Sequence, residues 1–194
     1  MFINITFDDI LAISKMKINK RVDKDYFKIW KNKIEYIEKY CNNKYIINDY
    51  DYYYYIGLSR IALNLVKNIN YFNISYGVSI NRFNNINNIY NLRQYGPTVN
   101  TIAEFIKQDF FYNNRVVDIT KIDELDLTND DLLLLISRLI FPTYYFDMLN
   151  EIDSNYKIIL TRIVEYIEYL KHIIFEIKKR HNNMPFAESI VNLL

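Results

Sequence analysis

The stretch that decides the fold runs from residue 155 to residue 181 and reads NYKIILTRIVEYIEYLKHIIFEIKKRH. Its apolar side chains recur at steps of three and four residues, the pattern of one face of an α-helix. This apolar stripe consists of Ile159, Ile163, Tyr166, Leu170, Ile174 and Ile177. The opposite face is expected to carry Lys157, Arg162, Glu165, Glu168, Lys171 and Lys178. At 1.5 Å per residue, the helix would be roughly 40 Å long and would span a whole domain.

Shorter stretches with the same period predict further helices over 25–41, 51–69, 99–111, 132–141 and 143–152. Thr128 followed by Asp131 is typical of a helix N-terminus, with a capping hydroxyl and a carboxylate in the first turn. Residues 76–80 and 116–119 are the two stretches that favour strands. The sequence therefore predicts a mostly α fold with a minor short β element. We expect one domain over 1–194, with 1–24 as an N-terminal appendage.

The composition excludes several classes of site. The 194 residues hold one Cys and two His, too few for an intrachain disulfide or a structural zinc site. Three scattered Gly cannot form a glycine-rich phosphate loop. The clusters of Asp and Glu contain no Gly to shape a cation-binding turn, so we expect no metal and no cofactor.

The charge and the apolar runs bear on location and partners. The formal net charge is +1, from 24 Lys and Arg against 23 Asp and Glu, so no strong field attracts nucleic acid. The acidic start at Asp8 and Asp9 is unlike a secretory signal, and the apolar run 132–136 is too short to span a membrane. We expect a soluble cytoplasmic protein that makes no membrane contact.

Residues 138–147, RLIFPTYYFD, are the main candidate for a binding site. Their aromatic side chains surround Pro142 between two predicted helices. One hypothesis is a contact surface that uses Arg138, Tyr144, Tyr145 and Asp147. The alternative is structural, with an Arg138–Asp147 ion pair closing the corner between the helices.

Four consecutive tyrosines, Tyr52 to Tyr55, raise the hypothesis of base stacking by a single-stranded nucleic-acid binder. Consecutive residues of a helix point in different directions, so they cannot form one stacking platform. Packing between helices is the preferred interpretation.

Several segments together resemble one known group. In chain order they are WKNKIEYIE (30–38), YYIGL (54–58), IAEFIK (102–107), the 138–147 segment, and Met184-Pro185 with Glu188. They resemble the C-terminal lobe of a Firmicutes family related to spore-coat kinase-like proteins. That family belongs to the aminoglycoside-phosphotransferase and choline-kinase-like superfamily, and the resemblance covers roughly residues 25–190.

The resemblance implies an ATP-binding fold that has lost its catalytic residues. Ile80 would replace the catalytic His of the family, and Arg82 would replace the catalytic Asp. The metal-binding Asp would fall near residues 95–97, where no carboxylate is present. The residues before Asp25 are too few for the upstream phosphate-gripping lobe, so phosphoryl transfer would lack its positioning groups.

We therefore expect a non-catalytic, pseudokinase-type helical domain that acts through a protein partner or a homo-oligomer, or a fragment of a larger kinase-like protein. One alternative is a degenerate ATP-dependent phosphotransferase that uses Asp109 or Asp118 with Arg82. The other is a single-stranded nucleic-acid-binding module.

Overall fold

The computed structural model describes residues 5–17, 25–40, 49–79, 95–150, 156–181, 190 and 192–194. These residues are mostly helical, as the sequence predicts. The α-helices are α1 (Phe7–Ser14), α2 (Tyr26–Tyr40), α3 (Asp49–Lys67), α4 (Val99–Asn113), α5 (Asn129–Ile140), α6 (Thr143–Asn150) and α7 (Tyr156–Arg180). Two 3-10 helices, Tyr71–Asn73 and Ile119–Glu124, and the strands β1 (Tyr76–Val78) and β2 (Tyr95–Pro97) complete the fold.

Helix α5 is the centre of the core. Its leucines and isoleucines are buried around the whole helix, and it packs against α3, α4 and α7. The N-terminus of α5 is fixed by the capping box predicted from Thr128 and Asp131. The Asp131 carboxylate is fully buried and also accepts hydrogen bonds from the Ser75 main-chain N–H and hydroxyl, both at 2.9 Å. One side chain therefore joins the start of α5 to the segment that precedes β1.

The β element is one antiparallel pair, β1 with β2, in which Gly77 lies opposite Gly96. A bridge from Lys17 extends this pair at Gly77. A Cβ at Gly77 would lie 2.6 Å from the Met16 carbonyl oxygen, so this approach of two backbones requires glycine. The predicted strand at 76–80 is confirmed over 76–78, and Ile80 lies outside the described residues.

One expectation needs correction. Residues 116–118 form no strand, and Ile119 begins a 3-10 helix. The main-chain N–H of Val117 donates to the Tyr169 hydroxyl at 2.9 Å, so a side chain takes the place of a neighbouring strand. Within the appendage expected at 1–24, residues 7–14 form α1, whose Ile10 and Leu11 are buried in the shared core. This part of the chain is integral to the helical assembly.

Candidate functional site

The polar centre of the molecule is a stripe along α4. Asn100, Glu104 and Lys107 follow each other at steps of four and three residues, so they lie on one side of the helix. They are 0%, 5% and 4% exposed. Charged residues are almost never this buried unless they are paired, so their partners decide what the stripe can do.

Glu104 is the acceptor at the middle of the stripe. Its Oε2 lies 3.9 Å from Arg138 Nη2 on α5, and both side chains are largely buried. Its Oε1 accepts a hydrogen bond from the Tyr144 hydroxyl of α6 at 3.4 Å. A single carboxylate from α4 thus connects two of the residues singled out in the sequence, Arg138 and Tyr144.

Arg138 is further held by aromatic contact. Its guanidinium carbon lies 5.6 Å from the centre of the Tyr26 ring on α2. Burial raises the pKa of Tyr26 and keeps this phenol neutral, although the Arg138 cation and the N–H that Asn100 donates to the hydroxyl act in the opposite direction. Among the described residues, Arg138 Nε and Asn100 Oδ1 are buried without a hydrogen-bond partner.

The predicted ion pair between Arg138 and Asp147 is wrong. Asp147 Oδ1 pairs with Lys33 Nζ of α2 at 2.9 Å, whereas Arg138 pairs with Glu104. The sequence-based prediction paired these two charges because they lie close together in the chain. The fold pairs each of them with a helix that is remote in sequence.

The four candidate contact residues do not form one surface. Tyr145 is 1% exposed, and its ring lies 4.0 Å from that of Tyr55 on α3, so it belongs to the core. Tyr144 is half-buried, with its ring 4.9 Å from Phe111 of α4. Arg138 and Asp147 hold separate ion pairs. The segment therefore acts as a packed corner in this structure.

Lys107 forms no ion pair with a carboxylate among the described residues. Its Nζ donates to the main-chain carbonyl of Phe141 at 2.8 Å. Burial, and then the nearby Arg138 cation, lower the pKa of Lys107 to about 7. The amine therefore changes charge close to neutral pH, as catalytic and ligand-binding lysines do.

A cavity of about 20 Å³ lies beside Lys107, between α4, α6 and α7. Its lining is mainly aromatic and aliphatic and includes Tyr55, Phe111, Tyr144, Tyr145 and Tyr166.

The second candidate site is the outer face of α7. Val164 is 69% exposed and Phe175 is 56% exposed, three helical turns further on. Between them, Lys171 Nζ pairs with Glu168 Oε1 at 2.8 Å. We call these four residues the α7 outer face. The periodicity of the sequence predicts Glu168 and Lys171 on this face but indicates neither of the two apolar residues.

The inner side of α7 is tied firmly to α4. Arg162 donates to the carbonyl groups of Phe110 and Phe111 and to Asn114 Oδ1, at the end of α4. Asn114 adopts the left-handed conformation that ends the helix, with φ of 53°. Because these contacts fix the rotation of α7 about its axis, Val164 and Phe175 point outward.

Sequence reasoning also missed Glu104 and Lys107. The signal that could have found them is their spacing from Asn100 within the otherwise apolar helix α4. A polar residue that repeats on an apolar face predicts a buried network.

The carboxylates suggested for phosphoryl transfer have structural roles. Asp109 accepts from Asn113 Nδ2 at 2.7 Å, and its main-chain carbonyl accepts from the Arg115 N–H. Asp118 caps the 3-10 helix that begins at Ile119, and its bonds to Thr120 lower the pKa of its carboxyl. Ile80 and Arg82, the positions implied by the kinase resemblance, lie outside the described residues.

No protein-family model matches this sequence, and comparisons with curated proteins and with solved structures give no significant match. Within the described part of the chain, no three His, Cys, Asp or Glu residues gather as a metal site would require. None of the helices described here combines the length and the apolar character needed to cross a membrane.

Proposed function

We propose that this protein acts through protein contacts, as a non-catalytic helical domain of kinase-like ancestry, and that it pairs with a second copy through the α7 outer face. The observation that carries the proposal is the order of the four residues on that face. Val164, Glu168, Lys171 and Phe175 read apolar, acidic, basic, apolar along one side of the helix.

This order is self-complementary in an antiparallel pair of helices. The midpoint between Val164 and Phe175 coincides with the midpoint between Glu168 and Lys171. A two-fold axis at that point places Val164 against Phe175 of the second copy, and Glu168 against Lys171 of the second copy. A two-fold interface requires one patch to match itself in this way.

The energetic roles of the four residues differ. Val164 and Phe175 supply most of the binding free energy. Each buries apolar surface in the pair, and this burial stabilises the dimer by about 25 cal/mol per Å². The Glu168–Lys171 pairs are solvent-exposed and contribute little affinity, about 0–1 kcal/mol each. These pairs contribute mainly to orientation, since a parallel arrangement in register would bring like charges together.

The alternative functions receive less support from the described residues. Asp109 and Asp118 are occupied by hydrogen bonds that end or begin helices. The four consecutive tyrosines lie on different sides of helix α3, because Tyr55 is buried and Tyr53 is 63% exposed. Such a division favours packing over a continuous stacking platform.

Sedimentation equilibrium of the wild type and of Val164→Asp tests the proposal. We expect the wild type to associate reversibly and Val164→Asp to remain monomeric, because the change places a charge against Phe175 of the second copy. Val116→Asp is the matched control, since Val116 is also 69% exposed but lies outside the α7 outer face. This control should associate like the wild type.

Two results would overturn the proposal. The first is a wild type that stays monomeric at every concentration. The second is equal association by Val164→Asp and Val116→Asp, which would place the interface elsewhere. Circular dichroism of both variants verifies that neither result comes from unfolding.

A further inference from the structure

Lys107 places an aliphatic amine on the wall of the cavity between α4, α6 and α7. Most of the other lining residues are aromatic or aliphatic, among them Phe111, Ile163 and Ile167. Lys107 is 4% exposed, and its Nζ donates to the main-chain carbonyl of Phe141 at 2.8 Å. Because Phe141 also lines the cavity, this hydrogen bond holds the amine at the cavity wall.

The cavity is partly open at the start of α6. Pro142, Thr143 and Tyr144 line it and are half-buried, whereas Lys107 is buried. A ligand can therefore approach the amine from this edge and can extend beyond the enclosed space. Apolar walls with a few polar groups are typical of sites for small organic molecules.

An amine in apolar surroundings is a nucleophile when it is neutral. Burial penalises the ammonium form of Lys107, and the nearby Arg138 cation acts in the same direction. An apolar pocket and a neighbouring cation are the two environments that activate lysines to form Schiff bases with carbonyl compounds. At pH 7, about half of an amine with a pKa of about 7 is neutral, against roughly one in 2,500 for an ordinary lysine.

We propose that this cavity binds a small apolar aldehyde, which Lys107 holds as an imine. The lone pair of Nζ attacks the carbonyl carbon, and one proton moves from nitrogen to oxygen to give a carbinolamine. The hydroxyl group then leaves as water with the remaining nitrogen proton, and the carbon–nitrogen double bond forms without an oxidant or a reductant. The reaction creates no new charge, which suits an apolar lining.

The reactivity of the amine depends on the charged and titratable groups around it. These groups are Glu104 on α4, Lys33 on α2, Tyr55 on α3, Arg138 on α5, Tyr144, Tyr145 and Asp147 on α6, and Tyr166 on α7. Glu104 and Asp147 favour the ammonium form, whereas Arg138 and Lys33 oppose it. Burial outweighs the two carboxylates, so the pKa of Lys107 falls to about 7. Imine formation should therefore increase as the pH rises through 7.

Labelling of the wild type with propanal and cyanoborohydride tests the site. Cyanoborohydride delivers a hydride to the imine and fixes it as a secondary amine, and peptide mapping then locates the label. At pH 7 we expect propanal to label the buried Lys107 more than about tenfold faster than Lys31, an exposed lysine of α2. Glyoxylate is an aldehyde of similar size that carries a carboxylate. It should label Lys31 but not Lys107, because the apolar lining excludes its charge.

Lys107→Met should lose the fast label, and the matched control Lys31→Met should retain it. The map of the wild type is sufficient if Lys107→Met does not fold. Labelling of Lys107 only after the exposed lysines would overturn the proposal, since a buried lysine with a purely structural role behaves in that way. Equal labelling of Lys107 by propanal and glyoxylate would overturn it as well, because it would indicate access through unfolding.

Discussion

Helices α4 and α7 break the usual arrangement of apolar and polar side chains in opposite ways. Helix α4 buries Glu104 and Lys107, whereas α7 leaves Val164 and Phe175 exposed. Glu104 has partners on α5 and α6, and Lys107 contacts the main-chain carbonyl of Phe141, so the role of these buried charges lies within one molecule. The exposed apolar residues of α7 form a self-complementary pattern with Glu168 and Lys171, so we assign their role to contact with a second copy of the chain.

The largest expected effect comes from breaking the buried pair of α4. Glu104→Gln keeps the shape of the side chain but leaves the Arg138 cation without its carboxylate partner. We expect a loss of about 3–5 kcal/mol in the free energy of unfolding, measured by urea denaturation. Glu168→Gln removes the exposed pair of α7 and should change that free energy by less than about 1 kcal/mol. Equal losses in both variants would show that the burial of Glu104 has no energetic consequence.

Substitutions on the two sides of α7 should affect different quantities, folding stability on the inner side and self-association on the outer face. Leu170→Ala, on the inner side, deletes a fully buried side chain and should cost about 2–5 kcal/mol of folding free energy. Phe175→Ala, on the outer face, should stay within about 0.5 kcal/mol of the wild-type monomer but weaken its self-association. Urea denaturation at low protein concentration, combined with sedimentation, measures both quantities. If Phe175→Ala destabilised the monomer as much as Leu170→Ala, the outer face would belong to the core.

The pH dependence of stability should report Lys107. Its pKa is about 7 in the folded protein and near 10.5 in the unfolded chain, so the unfolded state binds more protons between these values. Stability should therefore rise with pH from about 7 towards 10, by up to roughly 1.4 kcal/mol per pH unit. The difference between the wild type and Lys107→Met isolates this contribution, and identical slopes for both proteins would contradict it.

The smallest effect should come from the corner at α6. Tyr144→Phe removes the hydroxyl that donates to Glu104 but keeps the ring packed on Phe111. We expect a loss of about 0.5–1.5 kcal/mol by urea denaturation, the usual net value of one hydrogen bond. A loss as large as that of Glu104→Gln would mean that the hydroxyl, and not Arg138, is the main partner of the carboxylate.

The sequence predicted the elements whose signals are local. The apolar stripe from Ile163 to Ile177 predicted α7, and the Thr128–Asp131 cap fixed the start of α5. The strand expected at 116–119 failed because its neighbour is the Tyr169 hydroxyl, a contact that no local pattern reveals. Helix α1 was missed, although Thr6 and Asp9 form a capping box of the same kind as that of α5.

The candidate sites depended on contacts between remote helices. Charge spacing predicted a pair between Arg138 and Asp147, yet their partners Glu104 and Lys33 come from α4 and α2. Which face of α7 is exposed follows from the contacts of Arg162 with the end of α4. Tertiary packing decides these pairings, so periodicity in one segment could not identify them.

The most direct test of self-pairing uses two charge variants, Glu168→Lys and Lys171→Glu, studied by sedimentation alone and mixed. Each variant alone would place like charges opposite each other in both symmetry-related contacts, so each should be monomeric. An equimolar mixture should form a heterodimer, because every lysine then faces a glutamate. Monomers alone and a heterodimer on mixing is the result we predict. Monomers in the mixture, or dimers of either variant alone, would contradict the pairing of the α7 outer faces.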